Sequence, residues 1–214
     1  MYLAIEGVIG VGKTSLARLL QKEFEAQLLL EIFEENPFLS DFYADRERYA
    51  FQTQIFFLLS RYRQQREFVP TALEQGNLIA DYTFQKDSLF AHLNLEGDEL
   101  ETYRSVHEAL AERLIKPDLI VYLRVDTDTA MHRIAMRDRS YERNMDRAYI
   151  EALNQKYEQF FGEQPKSKVF PIDTTPLDFV ARREHLDLII NHIRNAMGIP
   201  PFQPQLPLEE DMFK

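Results

Sequence analysis

The segment that most constrains this chain is a glycine-rich stretch close to its amino terminus. Residues 7–14 read Gly-Val-Ile-Gly-Val-Gly-Lys-Thr and fit the pattern G-x-x-x-x-G-K-[ST] of the phosphate-binding loop, or P-loop. The apolar segment Tyr2–Glu6 before it is typical of a buried strand, and residues 15–24 after it carry apolar side chains at helical spacing. This strand–loop–helix context distinguishes a P-loop from a chance match.

The motif predicts how a nucleotide phosphate is held. Its glycines allow the backbone to turn several N–H groups toward an anion, and the start of the following helix adds partial positive charge. We expect Lys13 to reach the β- and γ-phosphates of ATP and the hydroxyl of Thr14 to bind Mg²⁺. The predicted phosphate-binding residues are Gly7, Gly10, Val11, Gly12, Lys13, Thr14 and Ser15.

Strands and helices alternate along the rest of the chain. This order predicts an α/β fold with a five-stranded parallel sheet and helices on both faces. A long amphipathic helix is expected over Arg46–Val69, where Pro70 should stop it. We predict one domain over residues 1–198 and an irregular, proline-rich tail over residues 199–214. The predicted strands are Tyr2–Glu6, Ala26–Phe33, Asn77–Tyr82, Asp118–Val125 and Val169–Asp173.

The charge of the chain limits its partners. A formal net charge of −10 argues against nucleic acid or an anionic membrane surface, although one cationic pocket is enough for a small phosphorylated ligand. The chain has no cysteine, so neither disulfides nor thiolate chemistry is available. We find no signal peptide and no apolar run long enough to span a bilayer. These features predict a cytoplasmic protein without nucleic-acid or membrane partners.

Three glutamates follow the second predicted strand: Glu31, Glu34 and Glu35. Ligands of parallel sheets bind beyond the carboxyl ends of the strands, so these side chains are candidates for the acceptor site. A hydroxyl acceptor gains from a carboxylate that takes its proton, whereas a phosphate acceptor prefers cations. The cluster therefore favours an alcohol acceptor, and a solvated acidic turn is the alternative.

Two further motifs strengthen this interpretation. Residues 31–39 read Glu-Ile-Phe-Glu-Glu-Asn-Pro-Phe-Leu, and residues 51–53 read Phe-Gln-Thr. Together with the P-loop and an arginine-rich segment, they resemble the deoxyribonucleoside kinase family, most closely its bacterial deoxyadenosine and deoxyguanosine kinases. The resemblance covers about residues 2–197. It implies a P-loop kinase fold, a homodimer, and transfer of the γ-phosphate of MgATP to the 5′-hydroxyl of a deoxynucleoside, with purines as acceptors, in nucleotide salvage.

The resemblance also implies roles at the strand ends. Aligned on Glu-Asn-Pro-Phe, the general base of the family falls on Glu31, with Glu34 as the alternative, because Ile32 stands where many members have proline. Asp81 takes the position of the carboxylate associated with Mg²⁺. Tyr82 stands where many relatives carry an arginine near the 5′-hydroxyl, so we expect Tyr82, like Asp81, to contact the substrate. The resemblance leaves open what holds Glu31 in place.

Other residues are implied to bind the nucleoside. Gln52 falls on the glutamine that pairs with the nucleobase, which an amide can do because it both donates and accepts hydrogen bonds. Asp87 matches a position that contacts the base in some members. Tyr43 and Glu142 fall on the two contacts to the sugar 3′-hydroxyl.

Four arginines, Arg133, Arg137, Arg139 and Arg143, lie within eleven residues. A loop of this kind can close over a polyphosphate, supply transition-state charge and exclude water, although an exposed helix end is the alternative. The family has a similar lid, Arg-x-x-x-Arg-Gly-Arg, in which Asp138 here replaces the glycine. We predict an arginine-rich lid in which Arg133, Arg137 and Arg139 serve catalysis beside Glu31 and Lys13.

Two other functions are compatible with a P-loop. A nucleoside monophosphate kinase of the thymidylate kinase type would share the sheet and the lid, but it usually has an aspartate where this chain has Ile9 and an arginine after the second strand. A non-catalytic nucleotide-binding module would need a water-positioning residue and switch loops, and we find neither in the sequence.

Overall fold

A computed structural model describes residues 1–163 and 168–200 of the 214. The predicted tail over residues 199–214 therefore lies almost wholly outside the described residues. The strands are β1 (Tyr2–Gly7), β2 (Ala26–Leu29), β3 (Asn77–Ala80), β4 (Leu119–Arg124) and β5 (Val169–Asp173). The helices are α1 (Lys13–Glu23), α2 (Leu39–Ala44), α3 (Arg46–Gln75), α4 (Lys86–Asn94), α5 (Gly97–Ala111), α6 (Thr127–Arg137), α7 (Arg147–Gly162) and α8 (Arg183–Ala196).

All five strands are parallel and lie in the order β2-β3-β1-β4-β5. The central strand β1 pairs with β3 on one side and with β4 on the other, so the P-loop leaves the middle of the sheet. Since parallel strands end at the same edge, the exits of β2 and β3 lie beside the P-loop. Pro171 lies in β5, an edge strand, where its missing N–H breaks no ladder between two neighbours.

Both faces of the sheet are packed with apolar side chains, as the predicted fold class requires. Successive residues of a strand point to opposite faces, and β3 shows the consequence. Ile79 joins the larger core cluster with Leu3 and Ile5, whereas Leu78 joins a second cluster that includes Val69 of α3. All residues of β1 are buried. The predicted five-stranded α/β architecture is confirmed.

Several predicted boundaries are wrong. Helix α3 continues through Pro70 to Gln75, and Pro70 is exposed, so water can satisfy the carbonyl that loses its intrahelical donor. The helix begins after Asp45, whose carboxylate accepts the N–H of Arg48 at 3.3 Å, as an N-cap does. Strand β2 ends at Leu29 rather than at residue 33, so Glu31 lies in the connection after the strand.

Within the described residues, no helix combines the length and the apolar character needed to cross a membrane.

Candidate active site

The P-loop joins β1 to α1 with two glycines in the left-handed region of backbone conformation. Gly10 has φ +87° and Gly12 has φ +104°, and a Cβ at Gly12 would lie 2.9 Å from the ring of Phe179. Only glycine satisfies both the dihedral and the close approach without strain. The Nζ atom of Lys13 donates to the carbonyls of Gly7 at 2.8 Å and Val8 at 3.0 Å, which holds its ammonium within the loop.

A cavity of about 310 Å³ extends from the P-loop toward α3 and the arginine-rich segment. Side chains from the β2 exit, the β3 exit and α4 complete its wall. Many of the residues predicted from the sequence to form the site line this space. They are Gly10, Gly12, Lys13, Thr14, Ser15, Glu31, Tyr43, Asp81, Arg137, Arg139 and Glu142.

The carboxylate of Asp81 connects the P-loop to the exit of β2. The Thr14 hydroxyl donates to its Oδ2 atom, and the backbone N–H of Glu31 donates to its Oδ1 atom at 2.8 Å. Burial raises the pKa of Asp81 above its ordinary value, although the hydrogen bond from Thr14 acts in the opposite direction. One side chain thus fixes the distance between the phosphate-binding loop and Glu31.

Glu31 is held by two cations from different helices. Arg61 of α3 donates from Nε to Oε1 at 2.8 Å, and Lys86 of α4 donates from Nζ to Oε2 at 2.6 Å. The side chain of Glu31 is 15% exposed. Burial alone would raise its pKa, but the adjacent guanidinium and ammonium outweigh that effect and hold the pKa of Glu31 well below its ordinary value. Glu31 is therefore ionised at neutral pH.

The other two glutamates of the acidic cluster do not reach the cavity. Glu34 and Glu35 lie in the short 3₁₀ turn Phe33–Glu35 and are exposed. Neither side chain lines the cavity among the described residues. The geometry therefore favours Glu31 over Glu34 as the carboxylate that faces the P-loop.

The glutamine that faces the cavity is Gln54, not Gln52. Residues of an α-helix advance by about 100° each, so two positions lie on nearly opposite faces. Gln52 is exposed, whereas Gln54 is buried and lines the cavity beside Thr53. The Oε1 atom of Gln54 and the Oγ1 atom of Thr53 have no hydrogen-bond partner within the described residues. Buried polar atoms are normally satisfied, which indicates that a ligand completes them.

Asp87 of α4 lies behind the cavity wall and is fully buried. One oxygen accepts from Arg61, while Oδ2 has no hydrogen-bond partner within the described residues. Burial raises the pKa of Asp87 to about 6, and the Arg61 guanidinium opposes this rise only in part. Arg61 thus joins the two carboxylates Glu31 and Asp87 in one network.

Tyr43 and Glu142 lie near each other and both line the cavity. The ring of Tyr43 stacks on that of Tyr141, with centroids 6.0 Å apart and planes 13° apart. Glu142 is buried and accepts two hydrogen bonds from Nη2 of Arg137, at 2.7 and 2.6 Å. The two residues that the resemblance places on one sugar hydroxyl therefore both line this cavity.

The arginines of the arginine-rich segment differ in what their side chains contact. Arg137 and Arg139 line the cavity, and Arg139 lies over the ring of Phe33 at 3.9 Å. Arg133 instead donates to the carbonyls of Val11 at 3.2 Å, Thr174 at 3.0 Å and Leu177 at 3.2 Å. Its guanidinium is used to join the P-loop to the segment after β5. Arg133 thus differs from Arg137 and Arg139, which line the cavity, and its contacts give the expected catalytic role no support.

Asp138 ends helix α6 with φ +48°, in the left-handed region. Aspartate tolerates this conformation better than most residues, which explains how it can replace the glycine of the Arg-Gly-Arg pattern. Its carboxylate accepts from Arg143 at 2.8 Å on the exposed side of the lid.

Tyr82 does not belong to the cavity wall, contrary to the sequence prediction. Its side chain is buried in the second core cluster, and its hydroxyl donates to Oε1 of Gln64. Residues 78, 80 and 82 all belong to this cluster, because every second residue of an extended chain points to the same face. Ile79 points to the opposite face and belongs to the larger cluster.

Three residues of the site were not identified from the sequence: Gln54, Arg61 and Lys86. Gln54 and Arg61 are seven residues apart, which is two helical turns and therefore one face of α3. The burial of Arg61 on this face, which the sequence alone does not show, distinguishes Gln54 from Gln52. No local sequence pattern identifies Lys86 as a residue of the site, because its partner Glu31 is 55 residues away in the chain.

Comparison with known proteins agrees with this geometry. The family model described as deoxynucleoside kinase matches residues 3–197. A deoxyguanosine kinase of Bacillus subtilis is 35% identical over 201 residues, which cover 92% of this chain and 97% of that protein. A deoxyadenosine kinase of Dictyostelium discoideum is 34% identical over 80% of this chain and 70% of its own length.

A solved structure supports the same relationship at the level of the fold. The deoxyadenosine kinase from M. mycoides, determined with its products dCMP and a flexible dCDP, superimposes with a TM-score of 0.79. It is 30% identical and covers 91% of this chain and 100% of that one.

The finding that Gln54, and not Gln52, faces the cavity can be tested with a pair of variants. Gln54→Ala should weaken nucleoside binding by about 10-fold or more, because a buried pair of hydrogen bonds is lost and its partners stay unsatisfied. Gln52→Ala, on the exposed face of the same helix, is the matched control and should bind as the wild type does. Nucleoside affinities of both variants, measured by titration calorimetry, distinguish the two positions. Weakened binding in Gln52→Ala alone would contradict the structural assignment.

Proposed function

Since this chain belongs to the deoxynucleoside kinase family, we propose that it phosphorylates the 5′-hydroxyl of purine deoxynucleosides, with Glu31 as the general base. The chain is an enzyme that takes the γ-phosphate of ATP and transfers it to a deoxynucleoside. Deoxynucleoside phosphorylation is a step of nucleotide salvage. The assignment of individual residues and of the base preference is our proposal.

The observation that carries the residue assignment is an ionised carboxylate facing the P-loop across the cavity. Glu31 lies on the wall where an acceptor must stand to meet the γ-phosphate held by Lys13. A monophosphate acceptor would bring a charge of about −1.5 to −2 against this carboxylate. The nearby cations do not offset that charge, because Arg61 and Lys86 are already paired with Glu31. An uncharged hydroxyl is the acceptor that fits.

The low pKa of Glu31 is compatible with a role as base. The transition state of phosphoryl transfer is loose, so the hydroxyl needs orientation in line with the leaving group more than it needs a strong base. An ionised, immobilised carboxylate accepts the hydrogen bond from the 5′-hydroxyl and receives its proton late in the reaction. On the donor side, Lys13, Arg137 and Arg139 neutralise the charge of the phosphates.

The nucleoside is proposed to lie between α3 and α4. Gln54 presents both an amide donor and an unpartnered acceptor to the base edge, with Asp87 and Arg61 beside it. Tyr43 and Glu142 are proposed to hold the 3′-hydroxyl of the sugar. Support for purines comes from the relatives, which are named as deoxyguanosine and deoxyadenosine kinases.

We propose that Thr14 and Asp81 hold Mg²⁺ together with the phosphates of ATP. Their oxygens already lie within one hydrogen bond of each other next to Lys13. Mg²⁺ usually binds proteins through one or two oxygen ligands and completes its shell with water and phosphate. This agrees with the finding that, within the described residues, no three His, Asp or Glu side chains form a metal site alone. The ion would neutralise phosphate charge.

We also propose that the chain works in the cytoplasm and forms a homodimer through α3. The exposed face of that helix carries Leu59, which is 49% exposed, between the partly buried Ile55 and Tyr62. An apolar stripe of this kind is typical of a helix that packs against another chain.

The acceptor can be identified by direct assay. With MgATP, we expect transfer to deoxyguanosine or deoxyadenosine and none to the corresponding monophosphates. Phosphate transfer to the four deoxynucleosides and their four monophosphates, followed by chromatography of the products, tests this. A preference for thymidine or deoxycytidine would overturn the proposed purine specificity, and transfer only to monophosphates would remove the base role of Glu31.

Removal of the carboxylate tests the base itself. Glu31→Gln keeps the shape of the side chain but cannot accept the proton, so kcat should fall by roughly 10²–10⁴-fold while nucleoside affinity persists. Glu34→Gln, on the exposed turn, is the control and should retain wild-type turnover. Steady-state kinetics of the two variants give the answer. The assignment would be wrong if the Glu34 variant lost turnover and the Glu31 variant kept it.

The dimer is tested by mass in solution. Sedimentation equilibrium should give twice the chain mass of 25.3 kDa. Leu59→Asp places a charge in the proposed interface and should shift the equilibrium toward the monomer. Val180→Asp alters a residue that is 66% exposed elsewhere and serves as the control. A wild-type mass of one chain would contradict the proposal.

A further inference from the structure

We propose that Lys86 is the positioning residue that keeps the carboxylate of Glu31 directed at the acceptor hydroxyl. In this chain it supplies from α4 the cation that position 82, occupied by a tyrosine, does not supply from the end of β3. The inference rests on the proposed function, because it takes Glu31 as the base. It adds a residue to the reaction that neither the motifs nor the P-loop geometry identified.

The contacts of Lys86 set it apart from a surface lysine. Its side chain is 6% exposed, it lines the cavity, and its Nζ atom donates to Oε2 of Glu31 at 2.6 Å. A buried ammonium is costly unless it is paired, so the position is maintained by its partner. Lys86 also lies near the P-loop, since burial and the nearby Lys86 ammonium lower the pKa of Lys13 to about 8.

Arg61 alone does not fix the orientation of the base. Its Nε and Nη2 atoms both approach Oε1 of Glu31, and its Nη1 atom is used by Asp87. With one oxygen held, the carboxylate can still rotate about its terminal torsion, which is broad for glutamate. The hydrogen bond from Lys86 to Oε2 removes this freedom. Because the two cations together hold both carboxylate oxygens of Glu31, the lone pairs that stay free point in one direction.

The packing of Tyr82 shows why the cation comes from elsewhere. Its hydroxyl donates to Gln64, and Nε2 of Gln64 donates to the carbonyl of Leu30 at 2.8 Å. Tyr82 thus supports the backbone just before Glu31 from the opposite side of the sheet. Lys86 is four residues later in the chain, at the first turn of α4, and reaches the carboxylate from the cavity side.

The first experiment compares Lys86→Met, Lys86→Arg and the wild type. Lys86→Met keeps the length of the side chain without charge, and we expect kcat to fall by about 10²-fold, the scale for a misplaced catalytic group. The KM for the deoxynucleoside should change far less than kcat, and Lys86→Arg should retain most of the turnover. Lys22→Met, on the exposed end of α1, is the control for loss of a lysine charge.

The second experiment restores the ammonium in a folded protein. Because the chain has no cysteine, Lys86→Cys introduces its single thiol. The thiolate displaces bromide from 2-bromoethylamine and forms a C–S bond, which yields a side chain of lysine length with a terminal ammonium. Thr14 and Ser15 at the cavity are exposed, so the reagent can enter. We expect alkylation to recover most of the wild-type kcat.

The outcomes separate this inference from the proposed function. If the wild type phosphorylates no deoxynucleoside, the proposed function fails. If the wild type is active and Lys86→Met turns over equally fast, or changes only KM, the inference fails. Loss of kcat without recovery after complete alkylation, verified by mass spectrometry, also overturns it, because the ammonium would not be what was missing. Recovery of kcat at an unchanged KM supports the positioning role.

Discussion

The rest of the site depends on one largely buried carboxylate, that of Glu31 in the connection after β2. An ionised group that is only 15% exposed is stable only if it is paired and hydrogen-bonded, and Glu31 is satisfied from three directions. The Glu31 carboxylate accepts from Arg61 of α3 and Lys86 of α4, and the Glu31 backbone N–H donates to the Asp81 carboxylate at the β3 exit. Three elements that are distant in sequence are therefore fixed by one residue. Because Asp81 also binds Thr14, the same network fixes the acceptor side of the cavity relative to the P-loop.

Fold class was predictable because it depends on local patterns. The strand–P-loop–helix motif and the alternation of elements determine a parallel sheet, and β5 was predicted at its observed bounds, Val169–Asp173. Boundaries that depend on tertiary context were not predictable. Helix α3 passes Pro70 because that residue is exposed, and residues 30–33 leave the sheet so that Glu31 can turn toward Arg61. Local sequence propensity predicts neither the exposure of Pro70 nor the departure of residues 30–33 from the sheet.

The errors within the site have a common physical origin. Gln52 and Gln54 are equally plausible on a helix that is weakly amphipathic, because the sequence does not reveal which face meets the cavity. Arg133 and Arg137 share a helical face, yet Arg133 donates hydrogen bonds to backbone carbonyls after β5, whereas Arg137 donates to the Glu142 carboxylate. Helical spacing gives the face that a residue occupies, whereas its partner depends on elements from the other end of the chain. The family pattern located Glu31, the proposed base, but it could not locate the cations that hold it.

Charge balance around the cavity explains why the lid is rich in arginine. Four carboxylates, Glu6, Glu31, Asp81 and Asp87, lie close to three cations, Lys13, Arg61 and Lys86. Burial raises the pKa of Glu6, Asp81 and Asp87, the response expected where carboxylates are crowded and desolvated. The polyphosphate of ATP adds further negative charge to a region in which Arg61 and Lys86 are already ion-paired with carboxylates. Arg137 and Arg139, which share the single carboxylate Glu142, bring the surplus positive charge. In the proposed reaction, these two arginines would supply the phosphates with charge that the rest of the site has already committed to Glu31 and Asp87.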